Sequence, residues 1–215
     1  MTVSSLKITE IFYSLQGESN TVGLPTVFIR LTGCPLRCVY CDTAYAFSGG
    51  ERMSIDEIIN RVGEYRAKYI TVTGGEPLAQ SACLELMSRL ADLGYQVSIE
   101  TSGALDVSRI DDRVVKVMDL KTPSSGELHR NLFDNIAYLK ANDQVKFVIG
   151  DDHDYQWSKS IIDQYNLDQR CELLFSPTMG QQDPTELAEK ILNDNLPVRF
   201  QIQLHKLLWN DAQGR

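Results

Sequence analysis

The chain has no run of lysine or arginine, no long apolar stretch, only three histidines and only one C-x2-C pair. Each shortage excludes something. Without a basic run, and with a formal net charge of -8 over 215 residues, tracking of phosphate backbones is disfavoured, because that calls for a basic surface. A small-molecule partner is expected, and no nucleic acid. No segment approaches the ~20 apolar residues needed to cross a bilayer, so no membrane partner is expected. The first residues, MTVSSLKITEIF, lack the basic-then-apolar layout of a signal peptide, which makes a cytoplasmic location the default. Five cysteines, an odd count, argue against a disulfide framework in a reducing compartment. Cys83 and Cys171 sit alone in apolar-patterned segments and read as small core residues.

What is present suits one domain over 1–215: the length falls near the rule of roughly 100–200 residues per domain, and 43% apolar residues are enough for one sizeable core. Short strand-like runs rich in Val, Ile and Phe lie at 26–31, 69–74, 96–101, 114–120, 144–149, 172–177 and 199–205. Helix-like runs separate them. MSIDEIINRVGEYRAKY carries Ser54 and Glu57 at capping-box spacing. PLAQSACLELMSRLADLG opens on Pro77 and closes on Gly94. HRNLFDNIAYLKAND, DYQWSKSIIDQYNL and DPTELAEKILNDN follow. Alternating strand and helix predicts a parallel sheet with right-handed crossovers, either open and doubly wound or an incomplete barrel, since a full one takes ~250 residues. The segment before the first core strand reads as an extra strand plus a loop. Polar segments follow the strand ends: TGCPLRC, TGGEP, ETSG, DLKTPSSG and SPTMG. Both architectures keep function there.

Cys34, Cys38 and Cys41 lie in TGCPLRCVYCDT, spaced C-x3-C-x2-C. A structural zinc site wants four protein ligands; a distant histidine could complete one, so a non-catalytic zinc module stays open. A redox C-x-x-C pair would leave Cys34 idle. A [4Fe–4S] cluster held by three thiolates fits the count, and leaves one iron open as catalytic metal sites do.

The triplet after a first core strand resembles the radical S-adenosylmethionine (SAM) enzymes, as do TGGEP at 73–77 after the second strand and Tyr40 before Cys41. Further stretches resemble one family within that class, the 7-carboxy-7-deazaguanine synthases: EIFYSLQGE, VFIRLTGC, YCDT, TGGEPL, IETSG, DLKTPSSG and QLHK, together running from about residue 8 to about 209. The resemblance implies a partial parallel β/α barrel of the TIM type. It implies conversion of 6-carboxy-5,6,7,8-tetrahydropterin to 7-carboxy-7-deazaguanine, with ring contraction and loss of ammonia, in queuosine-precursor biosynthesis. SAM would be regenerated and Mg²⁺ would assist. A homodimer and an electron donor such as flavodoxin or ferredoxin come with it.

Carried onto matching positions, the resemblance gives Cys34, Cys38 and Cys41 to the cluster and Thr43 to Mg²⁺. Tyr40, Cys41, Asp42, Gly75, Glu76, Glu100, Lys121, Thr122, Pro123, Ser176, Pro177, Thr178 and Met179 fall to SAM. Leu15, Gln16, Gly17, Arg30, Thr73 and His205 fall to the substrate, with Arg30 on its carboxylate and His205 reaching in from the last strand. Plainer readings stand beside these. Thr43 could end the loop as a cap. Glu76 could cap the helix at Pro77. Asp119 and Lys121 could form a simple ion pair. Ser19 stands where the family commonly has glycine, and KTPSSG and SPTM depart from relatives' forms. An activating enzyme that places a radical on a partner protein would share the cysteine spacing, but would not need LQGE, Arg30 and QLHK.

Overall fold

A computed structural model describes residues 4–210 and 212–214; the first three residues of the window read for a signal peptide lie outside that set. In chain order the elements are β1 (Ser5–Leu15), β2 (Pro25–Leu31), β3 (Glu51–Ser54), α1 (Ile55–Gly63), β4 (Tyr69–Gly74), α2 (Cys83–Asp92), β5 (Gln96–Thr101), β6 (Val115–Leu120), β7 (Gln144–Ile149), α3 (Asp152–Tyr165), β8 (Glu172–Pro177), α4 (Pro184–Asn193), β9 (Arg199–Phe200) and α5 (Leu204–Trp209). Nine strands form one sheet in the order β3-β1-β2-β4-β5-β6-β7-β8-β9. From β2 to β9 every pairing is parallel; β1 runs antiparallel to both β2 and β3. The sheet is an incomplete barrel with an added N-terminal hairpin strand.

Strand parity divides the sheet into two faces. Val27, Ile29 and Leu31 of β2, Ile70 and Val72 of β4, and Val97 and Ile99 of β5 are buried with α1 and α2 residues such as Ile58 and Leu86. Val145, Phe147 and Ile149 of β7, with Leu173 and Phe175 of β8, form a second apolar cluster with Tyr155, Ile162 and Leu187 of α3 and α4. Alternate residues point the other way and are polar at the carboxyl ends: Arg30, Thr73, Glu100, Asp119, Lys146 and Ser176. Helices cover one face, and the concave face is left for chemistry.

Local signals explain most boundaries. Ser54 and Glu57 make the full capping box of α1. Asp183 accepts from Thr185 and Glu186 N–H groups ahead of Pro184, the first residue of α4. Three segments differ from expectation. The run from Pro77 to Gly94 is a 3₁₀ turn, Pro77–Ala79, followed by α2. Gln80 breaks it by turning its side chain onto Lys7 N–H and the Lys7 and Thr32 carbonyls. HRNLFDNIAYLKAND forms no α-helix but two 3₁₀ turns, Leu128–Arg130 and Phe133–Tyr138. There Asn131 bonds both backbone groups of Lys121, and Asn135 bonds Gly103, Leu105 and Val107, so side-chain clips replace the helical ladder. Finally, 199–205 is not one strand. β9 stops at Phe200, because Gln201 spends its amide on the backbone of Ser19, at 2.7 Å and 2.9 Å. Leu204 N–H then bonds Gly17 O at 3.0 Å. The expected last strand carrying His205 is therefore replaced by a short bridge and a helix, α5.

Candidate active site

The loops that follow the parallel strands enclose a cavity of about 390 Å³ on the concave side. Cys34, Cys38 and Cys41 all open into it, from the loop after β2. Burial raises the Cys34 thiol above its ordinary value. It pushes Cys38 up to about 11, with Lys121 pulling weakly the other way. Metal ligation requires thiolates, so loading this loop releases protons. Among the described residues, no three His, Cys, Asp or Glu side chains converge on a single-ion site. A cuboidal cluster makes a different demand: each thiolate sits on its own iron, so the sulfurs stand apart. Three soft donors on one loop, facing a cavity, suit such a cluster.

The next wall is backbone. Gly75 N–H bonds Leu31 O at 3.2 Å and Glu76 N–H bonds Gly33 O at 2.9 Å. The 73–77 segment is thereby laid directly against the start of the cysteine loop. A Cβ on Gly75 would lie 2.3 Å from Gly33 O and 2.6 Å from Cys34 Cβ, so only glycine allows this approach. Tyr40, Asp119 and Thr178 each bring to the cavity lining a buried oxygen without a hydrogen-bond partner: Tyr40 Oη, Asp119 Oδ1 and Thr178 Oγ1. Unpaired buried oxygens of this kind are costly unless a ligand supplies partners.

A charged row crosses the floor. Lys146 Nζ lies 2.5 Å from Glu18 and 3.6 Å from Asp119, and Lys121 lies 3.1 Å from Asp119. Burial works against the charge on Glu18, yet Lys146 outweighs it and holds that carboxyl below its usual range. Lys146 is likewise held well above the ordinary lysine range, the carboxylates overcoming its desolvation. Glu100 behaves differently. Burial, reinforced by the charge on Glu18, raises it, while it accepts from the Thr73 hydroxyl at 2.9 Å.

The remaining expected residues divide clearly. Leu15, Gln16 and Gly17 line the cavity from the end of β1, with Thr73 and Arg30 in the same lining. Gln16 donates to Thr71 at 3.0 Å and accepts from Glu18 N–H at 3.2 Å. Arg30 gives its Nε to Glu10 at 2.7 Å, and Tyr45 donates to the same carboxylate oxygen at 2.7 Å. Among the described residues, no side chain accepts from the two terminal nitrogens of Arg30. Thr43 donates to Asp42 at 2.8 Å and makes no side-chain cap to the turn after it. Burial opposes ionisation of Asp42, but Lys206 at 2.9 Å and Thr43 hold its carboxyl well below the usual range. Ser176, Pro177, Thr178 and Met179 line the cavity from the end of β8, and Lys121 from just after β6. His205 enters from α5, not from a strand, and packs against Gly17. Burial lowers it below 6.5, so its imidazole is neutral at pH 7.

Three expected SAM residues do not line the cavity. Glu76 is fully buried and spends its carboxylate on Leu78 N–H, the Thr101 hydroxyl and both donors of Ser102, at 2.5–3.0 Å. Its capping reading is the one this geometry serves. Thr122 donates to Val148 O at 2.8 Å, and Pro123 opens the 3₁₀ turn Pro123–Ser125. Conversely, Glu18, Asp119 and Lys146 were not expected at the site. Lys146, like Arg30, is a charge inside an otherwise apolar strand. Parity separates it from Lys116, which points away from the cavity and pairs with buried Asp143 at 3.0 Å.

Residues 28–121 match the model of the radical SAM superfamily. With the thiol triplet at the mouth of an incomplete β/α barrel, this defines the class: a radical SAM enzyme, with a [4Fe–4S] cluster and SAM as its cofactors. The 7-carboxy-7-deazaguanine synthase of Chlorobaculum tepidum is 46% identical, over 99% of this chain and 99% of its own. That of Methanospirillum hungatei is 43% identical, over 95% and 86%. The chain belongs to the 7-carboxy-7-deazaguanine synthase family. Its fold is also that of QueE from Escherichia coli, with TM-score 0.74, 24% identity, and coverage of 94% of this chain and 95% of that one. No helix among the described residues is long and apolar enough to cross a membrane.

Proposed function

We propose that this chain is the carbon–nitrogen lyase that converts 6-carboxy-5,6,7,8-tetrahydropterin to 7-carboxy-7-deazaguanine. The observation that carries the reading is the meeting of the thiol triplet with Gln16, Arg30, Thr73 and His205 around one cavity, in a chain that matches synthases end to end. When bound, the cluster and SAM supply hydrogen-atom abstraction. The chain supplies the rest.

Cys34, Cys38 and Cys41 would hold the cluster. The glycine pair at 74–75 and the unpaired oxygens of Tyr40, Asp119 and Thr178 receive SAM. Arg30, steadied by Glu10, offers its terminal nitrogens to the substrate carboxylate. Neutral His205 and the amide of Gln16 offer both donors and acceptors to the pterin ring. Glu100, its ionisation opposed by burial, orients Thr73. Thr43 presents its hydroxyl oxygen to Mg²⁺ beside the ionised Asp42. An electron donor such as flavodoxin or ferredoxin, a homodimer and a cytoplasmic setting complete the proposal.

Anaerobic turnover of the carboxytetrahydropterin with SAM and a chemical reductant tests it. The expected result is deazaguanine product, with Arg30→Met raising KM at least about tenfold, as loss of a charge-assisted pair implies. An intact cluster with no such product would refute the substrate assignment.

A further inference from the structure

The cysteine loop has few bonds of its own. Cys41 N–H reaches Cys38 O at 3.2 Å, and the Arg37 guanidinium reaches Cys34 O and Leu36 O at 2.8 and 2.6 Å. From its middle, two bonds go to one turn. Val39 N–H donates to Ser125 O at 3.0 Å, and Arg37 N–H donates to Glu127 Oε1 at 2.5 Å. That turn follows β6 and is itself clamped from a third loop. Ser124 donates both its N–H, at 2.8 Å, and its hydroxyl to the carboxylate of Asp154, which also takes Gly150 N–H at 2.8 Å.

Asp154 is fully buried, and among the described residues no lysine or arginine pairs with it. Three donors and the positive end of α3 compensate its charge. Helix α3 does not need this carboxylate as a cap, because Asp151 already accepts from Asp154 N–H at 2.9 Å. The acid is therefore committed to Ser124, thirty residues earlier in the chain. Ser125 stiffens the same turn, donating to Thr122 O at 2.6 Å.

We propose that Asp154 is a positioning residue for the thiol triplet: through Ser124 and the 123–127 turn it fixes the middle of the cysteine loop. The inference rests on the reading of Cys34, Cys38 and Cys41 as cluster ligands. It assigns a role to KTPSSG that does not require every residue of the segment to touch SAM. Ser124 and Ser125 hold the turn, and the turn holds the cysteines.

The test reconstitutes wild type, Ser124→Ala and Asp154→Asn anaerobically, with Asp183→Ala as a control that loses the cap of α4 and touches neither loop. Iron release to a ferrous chelator, the paramagnetic resonance spectrum of the reduced cluster, and the thermal midpoint are measured. Ser124→Ala and Asp154→Asn are expected to release iron about five- to tenfold faster, as loss of a buried hydrogen bond implies, with a broadened spectrum. Asp183→Ala is expected to lower the midpoint yet release iron like wild type. Release rates that follow the midpoint across all three variants would overturn the proposal, as would wild-type rates in both loop variants. Should Asp154→Asn fail to fold, Ser124→Ala, which deletes one hydroxyl, decides alone. Wild-type protein that binds no iron would instead overturn the cluster reading.

Discussion

Replacing Lys146 by methionine removes the only cation within 4 Å of Glu18 among the described residues and one of two beside Asp119. Shape and apolar stem are nearly kept, so the loss is electrostatic. Breaking a fully buried pair costs about 3–5 kcal/mol, because the abandoned charge stays buried. Here the three side chains retain 12–18% of their exposure and face a cavity, which water relieves in part, so about 2–3 kcal/mol is expected. With a urea slope near the upper end of about 1–3 kcal/mol/M for a chain of this size, the midpoint falls by about 1 M at pH 7.5. The pH dependence adds a second arm. In wild type the Glu18 carboxyl lies below 4.5, so its contribution persists above that pH and is lost only on further acidification. In the variant, burial is opposed only by the bond from Gln203 and lifts Glu18 above its unfolded value. The folded variant then takes up a proton more readily than the unfolded chain, and the gap from wild type narrows as pH falls from 7.5 toward 5. Urea unfolding of both proteins at pH 7.5, 6.5 and 5.5 checks this. A gap under about 1 kcal/mol at pH 7.5, or one that widens on acidification, would refute the reasoning.

Gly75→Ala forces Gly33 O away by roughly 1 Å and is expected to cost about 1–3 kcal/mol as overpacking; iron per chain after reconstitution should fall well below wild type, and a full complement would contradict the close approach described. Gly17→Ala places a methyl 2.2 Å from His205 Nδ1, displacing the ring, and is expected to raise KM for the pterin more than it lowers the thermal midpoint. Gln201→Ala removes both bonds to Ser19, leaving the buried Ser19 N–H unpaired and the Ser19 carbonyl with only the 3.4 Å bond from Val22 N–H, a loss of about 1–3 kcal/mol that urea unfolding measures. Because burial holds His205 below 6.5, the unfolded chain binds its proton first. Stability is expected to drop as pH falls through 6.5, and His205→Gln should flatten that limb.

The core strands were legible because each is a short apolar run bounded by glycine or polar residues; β4, β5, β7 and β8 fall on the expected residues. The thiol loop was legible because three soft donors at fixed spacing have few explanations. What escaped was written in side chains that bond backbone far away. Asn131 and Asn135 look like tolerable helix residues, and nothing local says that their amides belong to Lys121 and Gly103. RFQIQLH alternates like a strand, yet Gln201 answers to Ser19, 182 residues earlier. β3 was missed because ERMS carries no alternation and pairs only as an edge beside β1. Lys146 was within reach, for its strand parity matches that of Arg30 and Glu100, but Lys116 on β6 raises the same flag for a purely structural pair.

The bond between Gln201 and Ser19 has a temporal meaning. During synthesis the LQGES loop leaves the ribosome long before its clasp exists. Loop closure over so many residues is entropically slow to achieve, and contacts of this separation form late. Until then the Ser19 end of the loop is unclasped and Glu18 lacks its partners Lys146 and Gln203, so the proposed pterin half of the cavity matures after the cysteine loop and the first strands that carry it. Nascent chains would thus be able to gather iron before they can recognise the molecule on which it is to be used.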